Sequence, residues 1–325
     1  MLYWPLQRQA FKFVSRRGIS WLECLRLNKL PWLVHAFSTR RGGAGEGPVA
    51  GLDLGLVPPD EPASAASLRE NRRRFLERLG TRDFSLAEVR QIHSAVIYQV
   101  AFGSLGELTY HPSGLRLPPS ADRRQPKGDA LLTAEPGLLL CVRSADCLQV
   151  LLVDPRHRAV AAVHAGWRGA LARVVEKTVG EIRRLFGSQP RELVAAVGPS
   201  IRACCYEVGE EVLDAFCGSF PNGEKFFRKP ERKVVHRAGT LTDRASLPAK
   251  DSSAHSLPGR RTAHLDLVAV ASDQLRTAGV APSNIEVAPF CTACRTDLFF
   301  SHRKEGSRTG RMMAVIGIRP CSGGV

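Results

Sequence analysis

The chain has 325 residues, 44% of them hydrophobic and 24% charged, and carries a formal net charge of +15. This length and balance exclude a wholly disordered chain and a small disulfide-stapled scaffold, because so long a chain buries a sizeable core in one large domain or two ordinary ones. Nine cysteines, grouped rather than set at staple-like intervals, read as reduced thiols of a cytoplasmic protein, some of them open to metal or catalysis. The N-terminal run MLYWPLQRQAFKFVSRRG lacks the apolar stretch of a secretory signal. The longest apolar runs fall far short of a bilayer, so no membrane partner is expected.

Residues 1–31 are mixed and read as an N-terminal extension with the first short strands. Trp32–Thr39 reads as a strand ending in the turn Arg40-Arg41-Gly42-Gly43. Ser64–Leu79 keeps near-helical spacing at Leu68, Phe75, Leu76 and Leu79, with Gly80 as its C-cap. Gln91–Val100 alternates as a strand, with His93, Ala95 and Ile97 on one face. Residues 101–127 read as a basic, turn-rich surface loop. Ala130–Thr133 and Gly137–Arg143 are strand-like. Leu148–Val153 and Ala159–His164 form a hairpin-like pair joined by the turn at Asp154-Pro155. Ala170–Phe186 has one apolar stripe and stops at Gly187, the clearest helix in the chain. A strand at Leu193–Val197, helices at Glu210–Phe216 and Asp266–Thr277, and strands at Ile285–Pro289 and Met312–Ile318 complete the pattern. Strands and helices mix without a regular βαβ repeat. That predicts an α/β (α+β) fold, with residues 32–325 as a single domain of mixed β-sheets and helices packed outside. Lys225–Thr262 alone carries +7 of the charge, together with Ser, Pro and Gly. It reads as a basic, disordered insertion capable of non-specific nucleic-acid contact and no more.

Three segments carry candidate chemistry: Gln91-Ile92-His93-Ser94, Ser144-Ala145-Asp146-Cys147 and His164-Ala165-Gly166-Trp167-Arg168-Gly169. Cys147 and His164 both lie at the end of the expected hairpin, where sites are commonly built. His93 has to be brought in by the fold. Two imidazoles and one thiolate are a known donor set for catalytic zinc, with a fourth position open. Zinc there would bring the pKa of a water towards neutrality. Without metal, Cys147 and His164 suit a nucleophile and its base. A small buried thiol and a core histidine are the plainer alternative.

The turn Gly166-Trp167-Arg168-Gly169 precedes a helix start, so its free N–H groups and Arg168 read as an anion site. Arg41-Gly42-Gly43 is a weaker case of the same kind. Cys291-Thr292-Ala293-Cys294 matches C-x-x-C. Its nearest complement, Cys204-Cys205, is adjacent in sequence and poorly disposed to chelate as a pair. Ser301-His302-Arg303 and Thr309-Gly310-Arg311 either line a pocket or face solvent.

The runs TRRGG (39–43), ENRRRFLERLG (70–80), QIHS (91–94), GDALLT (128–133), SADCLQVLLVD (144–154), AAVHAGWRGAL (161–171), GPSIRACCYEVGEEV (198–212), HLDL (264–267), FFSHR (299–303) and TGR (309–311) together resemble the YfiH/YlmD family. This is also called the multicopper polyphenol oxidoreductase or laccase-domain family. The likeness runs from about Trp32 onwards, and HAGWRG with an upstream ADC and QxH is specific. It implies a single domain similar to the catalytic domain of cytotoxic necrotizing factor, with a zinc-associated site at His93, Cys147 and His164. The implied activity is purine nucleoside phosphorylase on adenosine, inosine, guanosine and methylthioadenosine, accompanied by adenosine deaminase. Its partners would then be purine nucleosides and phosphate.

On that reading Arg41, Arg168 and the helix start at Gly169 take phosphate, and Asp129 or Asp146 shuttles protons. The alternatives are a copper-dependent polyphenol oxidase and a metal-independent Cys/His hydrolase acting on cell-wall or peptide substrates. Copper is the weaker choice, because multicopper sites need many histidines and only nine are spread along this chain. The chain departs from the family at Gly51-Leu52-Asp53-Leu54-Gly55, in the insertion 225–262 and in the C-x-x-C.

Overall fold

Several runs in the middle of the chain are apolar at every position, the pattern of strands covered on both faces. A computed structural model, describing residues 10–44, 50–55, 62–113, 126–228 and 262–320, shows what covers them. The chain enters through β1 (Phe11–Arg16), β2 (Ile19–Cys24), β3 (Leu33–Ser38), α1 (Pro62–Leu79), β4 (Ser85–Glu88), β5 (Ile97–Phe102) and β6 (Leu108–Ser113). Next come β7 (Ala130–Thr133), β8 (Leu138–Ser144), β9 (Leu148–Asp154), β10 (Ala159–Ala165), α2 (Trp167–Leu171), α3 (Val174–Phe186) and β11 (Val194–Val197). It closes with β12 (Glu207–Gly209), α4 (Glu210–Ser219), β13 (Phe227–Arg228), β14 (Thr262–Leu265), α5 (Leu267–Thr277), β15 (Ile285–Val287), α6 (His302–Glu305) and β16 (Met312–Ile318).

One sheet has six strands in the order β1-β2-β3-β16-β8-β4, and a second has seven in the order β15-β11-β9-β10-β7-β5-β6. A small third sheet runs β12-β14-β13. Strand alternation then assigns the layers. Leu138, Leu140 and Val142 of β8 join Leu151 and Val153 of β9 in one apolar cluster between the two large sheets. The opposite face of the seven-stranded sheet (Val150, Leu152, Ala161, Val163) packs against Val175, Val179 and Ile182 of α3 and Leu275 of α5. The outer face of the six-stranded sheet (Trp21, Leu139, Val315) packs on Phe75 and Leu79 of α1. The result is two sheets face to face with helices outside, as the sequence predicted. Each fully buried Val, Leu or Ile in these layers contributes roughly 1.5–3 kcal/mol.

Three expected elements differ in detail. The helix expected over Ala170–Phe186 is broken. Arg173 adopts φ +61°, separating α2 from α3, while its guanidinium donates to Glu176 and to the Ser219 carbonyl and lies over the Phe220 ring. The strand expected from Gln91 starts only at Ile97, because residues 92–94 bend around a buried carboxylate. The loop expected over 101–127 contains β6, paired antiparallel with β5. Most of the expected insertion lies outside the described residues. Its flanks are built into the fold: β13 and β14 pair, and Lys225 Nζ reaches Asp273 at 2.8 Å. β1 and β2 continue the same sheet as β3.

Candidate active site

The segment Ala145-Asp146-Cys147 carries the chain from β8 in one sheet to β9 in the other. β9 and β10 are registered so that Leu148 faces Ala165. Cys147 therefore comes level with Gly166, and His164 stands near it on β10. A Cβ on Gly166 would lie 2.5 Å from His93 Cδ2 and 3.0 Å from Cys147 Sγ. Glycine here leaves room for two side chains to converge.

His93 arrives from the bend 91–96. It holds φ +59°, uncommon for a residue with a side chain. The bend wraps Asp129, which is completely buried just before β7. Asp129 accepts the backbone N–H groups of Ile92 (3.3 Å), His93 (3.0 Å) and Ser94 (2.6 Å) and the Ser94 hydroxyl (2.7 Å). It also accepts His164 Nδ1 at 2.9 Å. One carboxylate thus holds the His164 ring and the backbone of His93. Fixing Nδ1 in this way directs Nε2 of His164 towards the site, the usual role of a carboxylate behind a ligating histidine.

The two rings lie 5.0 Å apart at 74°, and Cys147 Sγ is 3.8 Å from His93 Nε2. The donor atoms of His93, Cys147 and His164 all lie within 4.8 Å of one another. Burial pushes the Cys147 thiol up, but hydrogen bonds from His164 and His93 outweigh it and bring it to about 6. Burial pulls His164 down, yet Asp129 and Cys147 raise it to about 9. Before any metal arrives, the pair is therefore a thiolate beside an imidazolium.

The three side chains line a cavity of about 680 Å³, within the usual range for small-ligand sites. Arg90, Arg143, Arg303, Arg311, His302 and Tyr206 share its wall. The polar groups at 301–303 and 309–311 therefore do contribute to a pocket, through His302, Arg303 and Arg311. Arg143 is itself tied to Glu88 and to the Val89 carbonyl, so it shapes the wall. Asp146 also lines the cavity. It sits at φ +95°, with its carboxylate accepting Thr292 Oγ1 (2.6 Å) and the Arg303 N–H (2.7 Å).

The residues expected to hold phosphate lie elsewhere. Arg41 pairs with Asp297 at 3.3 Å and lines a separate depression. Arg168 lies over the Trp167 ring at 4.3 Å, outside the cavity lining. Gly169 is buried in the first turn of α2, which begins at Trp167 and ends before Arg173, and it is not among the residues that line the cavity. Arg90 and Arg143 escaped the sequence reading, since each stands just outside a motif, and Tyr206 was quoted within the run 198–212 without a role. The sequence reading of the cysteines also needs correction. Cys204, Cys205, Cys291 and Cys294 bring their sulfurs within 4.8 Å of one another, so the adjacent pair does converge with the C-x-x-C.

The fold and site together define a two-sheet α/β domain with a His-Cys-His pocket. Residues 34–319 match the family model for multi-copper polyphenol oxidoreductase laccase, and the chain belongs to that family. It is 31% identical over 285 residues to a purine nucleoside phosphorylase of Bacteroides thetaiotaomicron, covering 87% of this chain and 90% of that protein. It is 34% identical over 188 residues to adenosine deaminase RL5 from an unknown prokaryotic organism, covering 58% of this chain and 61% of that one. The crystal structure of the Bacillus licheniformis hypothetical protein YfiH superposes with a TM-score of 0.74 at 27% identity, over 96% of this chain and all of that one. Among the described residues no helix is long and apolar enough to cross a membrane.

Proposed function

We propose that this chain is a zinc-dependent purine nucleoside phosphorylase acting on adenosine, inosine, guanosine and methylthioadenosine, with adenosine deaminase activity in the same pocket. The reading rests on the convergence of His93, Cys147 and His164 inside a cavity lined by arginine, in a chain whose relatives carry those names. Two imidazole nitrogens and a thiolate fit zinc with a position left open, and the room at Gly166 keeps the three donors close. Bound there, zinc supplies Lewis-acid activation of water and of the purine.

The protein's own groups account for the rest. Asp129 fixes the His164 imidazole and the backbone that carries His93. Arg90, Arg303 and Arg311 give the cavity an excess of positive charge, which suits a phosphate co-substrate and takes the place of Arg41 and Arg168 in that role. Asp146 is the cavity-lining carboxylate and the better placed of the two aspartates to exchange a proton with substrate. Asp129, buried behind His164, acts through that imidazole. The cysteines among the described residues are all free thiols, which supports a cytoplasmic location.

The test is release of hypoxanthine from inosine by zinc-loaded protein with and without phosphate. Release should require phosphate, vanish in His93→Ala and Cys147→Ala, and show a raised KM for phosphate in Arg303→Ala. Release that ignores phosphate, or survives in Cys147→Ala, overturns the proposal. Copper in the purified protein together with oxygen-dependent phenol oxidation would favour the oxidase reading instead.

A further inference from the structure

The second thiol cluster lies outside the pocket, and the proposed reaction has no use for it. Cys204 and Cys205 sit in the turn after β11, held by the N–H groups of Cys205 and Tyr206 donating to the Arg202 carbonyl at 2.9 Å. Cys291 and Cys294 sit in the turn after β15, closed by the Arg295 N–H donating to the Cys291 carbonyl at 3.1 Å. β11 and β15 pair in parallel, and a bridge between Ser200 and Cys291 continues that pairing into the two turns. Four thiols from two turns thus meet at one point.

Their spacing decides what they can hold. Cys294 Sγ lies 3.6 Å from Cys204 Sγ and 3.3 Å from Cys205 Sγ. A disulfide needs about 2.05 Å between sulfurs. A tetrahedral zinc with bonds of about 2.3 Å sets its four sulfurs about 3.8 Å apart, close to what is observed. Four thiolates around a divalent ion carry two net negative charges, and the Arg202 guanidinium lies in the field of Cys204 and Cys291 to offset them.

We propose that Cys204, Cys205, Cys291 and Cys294 form a second metal site, a closed four-thiolate site for zinc or a similar thiophilic divalent ion. Its role is structural. It locks together two turns that wall the active cavity: Ile201 and Tyr206 line the cavity from one turn, and Thr292 from the other anchors Asp146. Zinc is argued from the donor set, because soft thiolates in a tetrahedron select it over oxygen-seeking cations.

The test counts metal in the full-length protein by native mass spectrometry and elemental analysis. Wild type should bind two zinc ions per chain, one for each cluster. Cys147→Ser should keep one. Cys147→Ser combined with Cys294→Ser should keep none. Cobalt(II) loaded into Cys147→Ser should show intense tetrahedral d–d bands and a strong sulfur-to-cobalt charge-transfer band, and Cys294→Ser should weaken that band. These readouts need no catalysis, so they stand even if the phosphorylase reading fails. Retention of no metal by folded Cys147→Ser overturns the proposal. So does a cobalt spectrum without thiolate character, or a Cys204–Cys294 or Cys205–Cys294 disulfide in freshly purified protein.

Discussion

Asp129→Asn tests the site at its most constrained point. The change keeps shape and removes charge. In the native chain Oδ1 of Asp129 accepts from His93 N and His164 Nδ1, and Oδ2 accepts from Ile92 N, Ser94 N and Ser94 Oγ. An asparagine has one acceptor oxygen and one NH₂ group. If its oxygen takes the Oδ1 place, the NH₂ faces the N–H groups of Ile92 and Ser94. If it takes the Oδ2 place, the NH₂ faces His93 N–H and forces His164 to carry its proton on Nε2. In that tautomer the Nε2 that faces the site has no lone pair to offer a metal, and the lone pair on Nδ1 is taken by the asparagine NH₂.

Each buried donor left without a partner costs about 1–3 kcal/mol. Two such donors, in a site where a buried charge is lost, give about 3–5 kcal/mol. Loss of the carboxylate behind a ligating histidine should also weaken zinc binding by about 10- to 100-fold. Equilibrium unfolding in denaturant of the metal-free protein measures the first quantity, and zinc competition with a chelating dye the second. A variant within about 1 kcal/mol of wild type that binds zinc as tightly would refute the role assigned to Asp129.

Four further outcomes follow from the same geometry. Gly166→Ala leaves the backbone unstrained at φ −72° but sets a methyl 2.5 Å from His93 Cδ2; it should fold and lose zinc affinity, and a folded variant with unchanged affinity counts against the site. In metal-free protein Cys147 should react with iodoacetamide with a midpoint near its shifted value of about 6, and His164→Gln should move that midpoint upward in the alkylation rate profile. Burial depresses His35 to about 4; its contribution is therefore full above 6.5 and lost as pH falls through about 4, roughly 3 kcal/mol in all, and denaturant melts of His35→Gln should show a flatter acid limb. Glu88→Gln breaks its ion pairs with Arg143 and Arg72 and should cost about 3–5 kcal/mol in the same melts, a value below about 1 kcal/mol refuting the pairing.

The layers were legible where periodicity was strong. β8, β9, β10 and β16 are apolar at nearly every position and buried throughout. α5 begins at the Asp266 cap, whose side chain accepts the Ala269 N–H, and stops at Gly279. The misses have a common cause: a contact between distant residues overrode a local pattern. Alternation over 91–96 looks like a strand, but three successive N–H groups find a better partner in Asp129. The stripe over 170–186 is helical, but Arg173 is drawn to Glu176 and Phe220. Two adjacent cysteines seem unable to share one point until a second turn is folded against them. The His-Cys-His set was legible through its motifs, and Arg303 and Arg311 stood in motifs that offered a pocket lining, whereas Arg90 and Arg143 acquire meaning only in three dimensions.

The two groups of thiols and imidazoles solve different problems. At the first, backbone strain at His93 and Asp146, of order 1–3 kcal/mol for each such residue, is held by carboxylates that accept hydrogen bonds from the chain itself. Its geometry is therefore set before a metal binds, and three donors leave a position for substrate. At the second, four donors leave none. Its two turns share a single bridge beyond the β11–β15 pairing, so an ion there would add a constraint the backbone alone does not supply. Asp146 joins the two: its carbonyl accepts the Ile201 N–H and its carboxylate the Thr292 hydroxyl. A clamp on the cysteine turns thus bears directly on the residue that links β8 to Cys147.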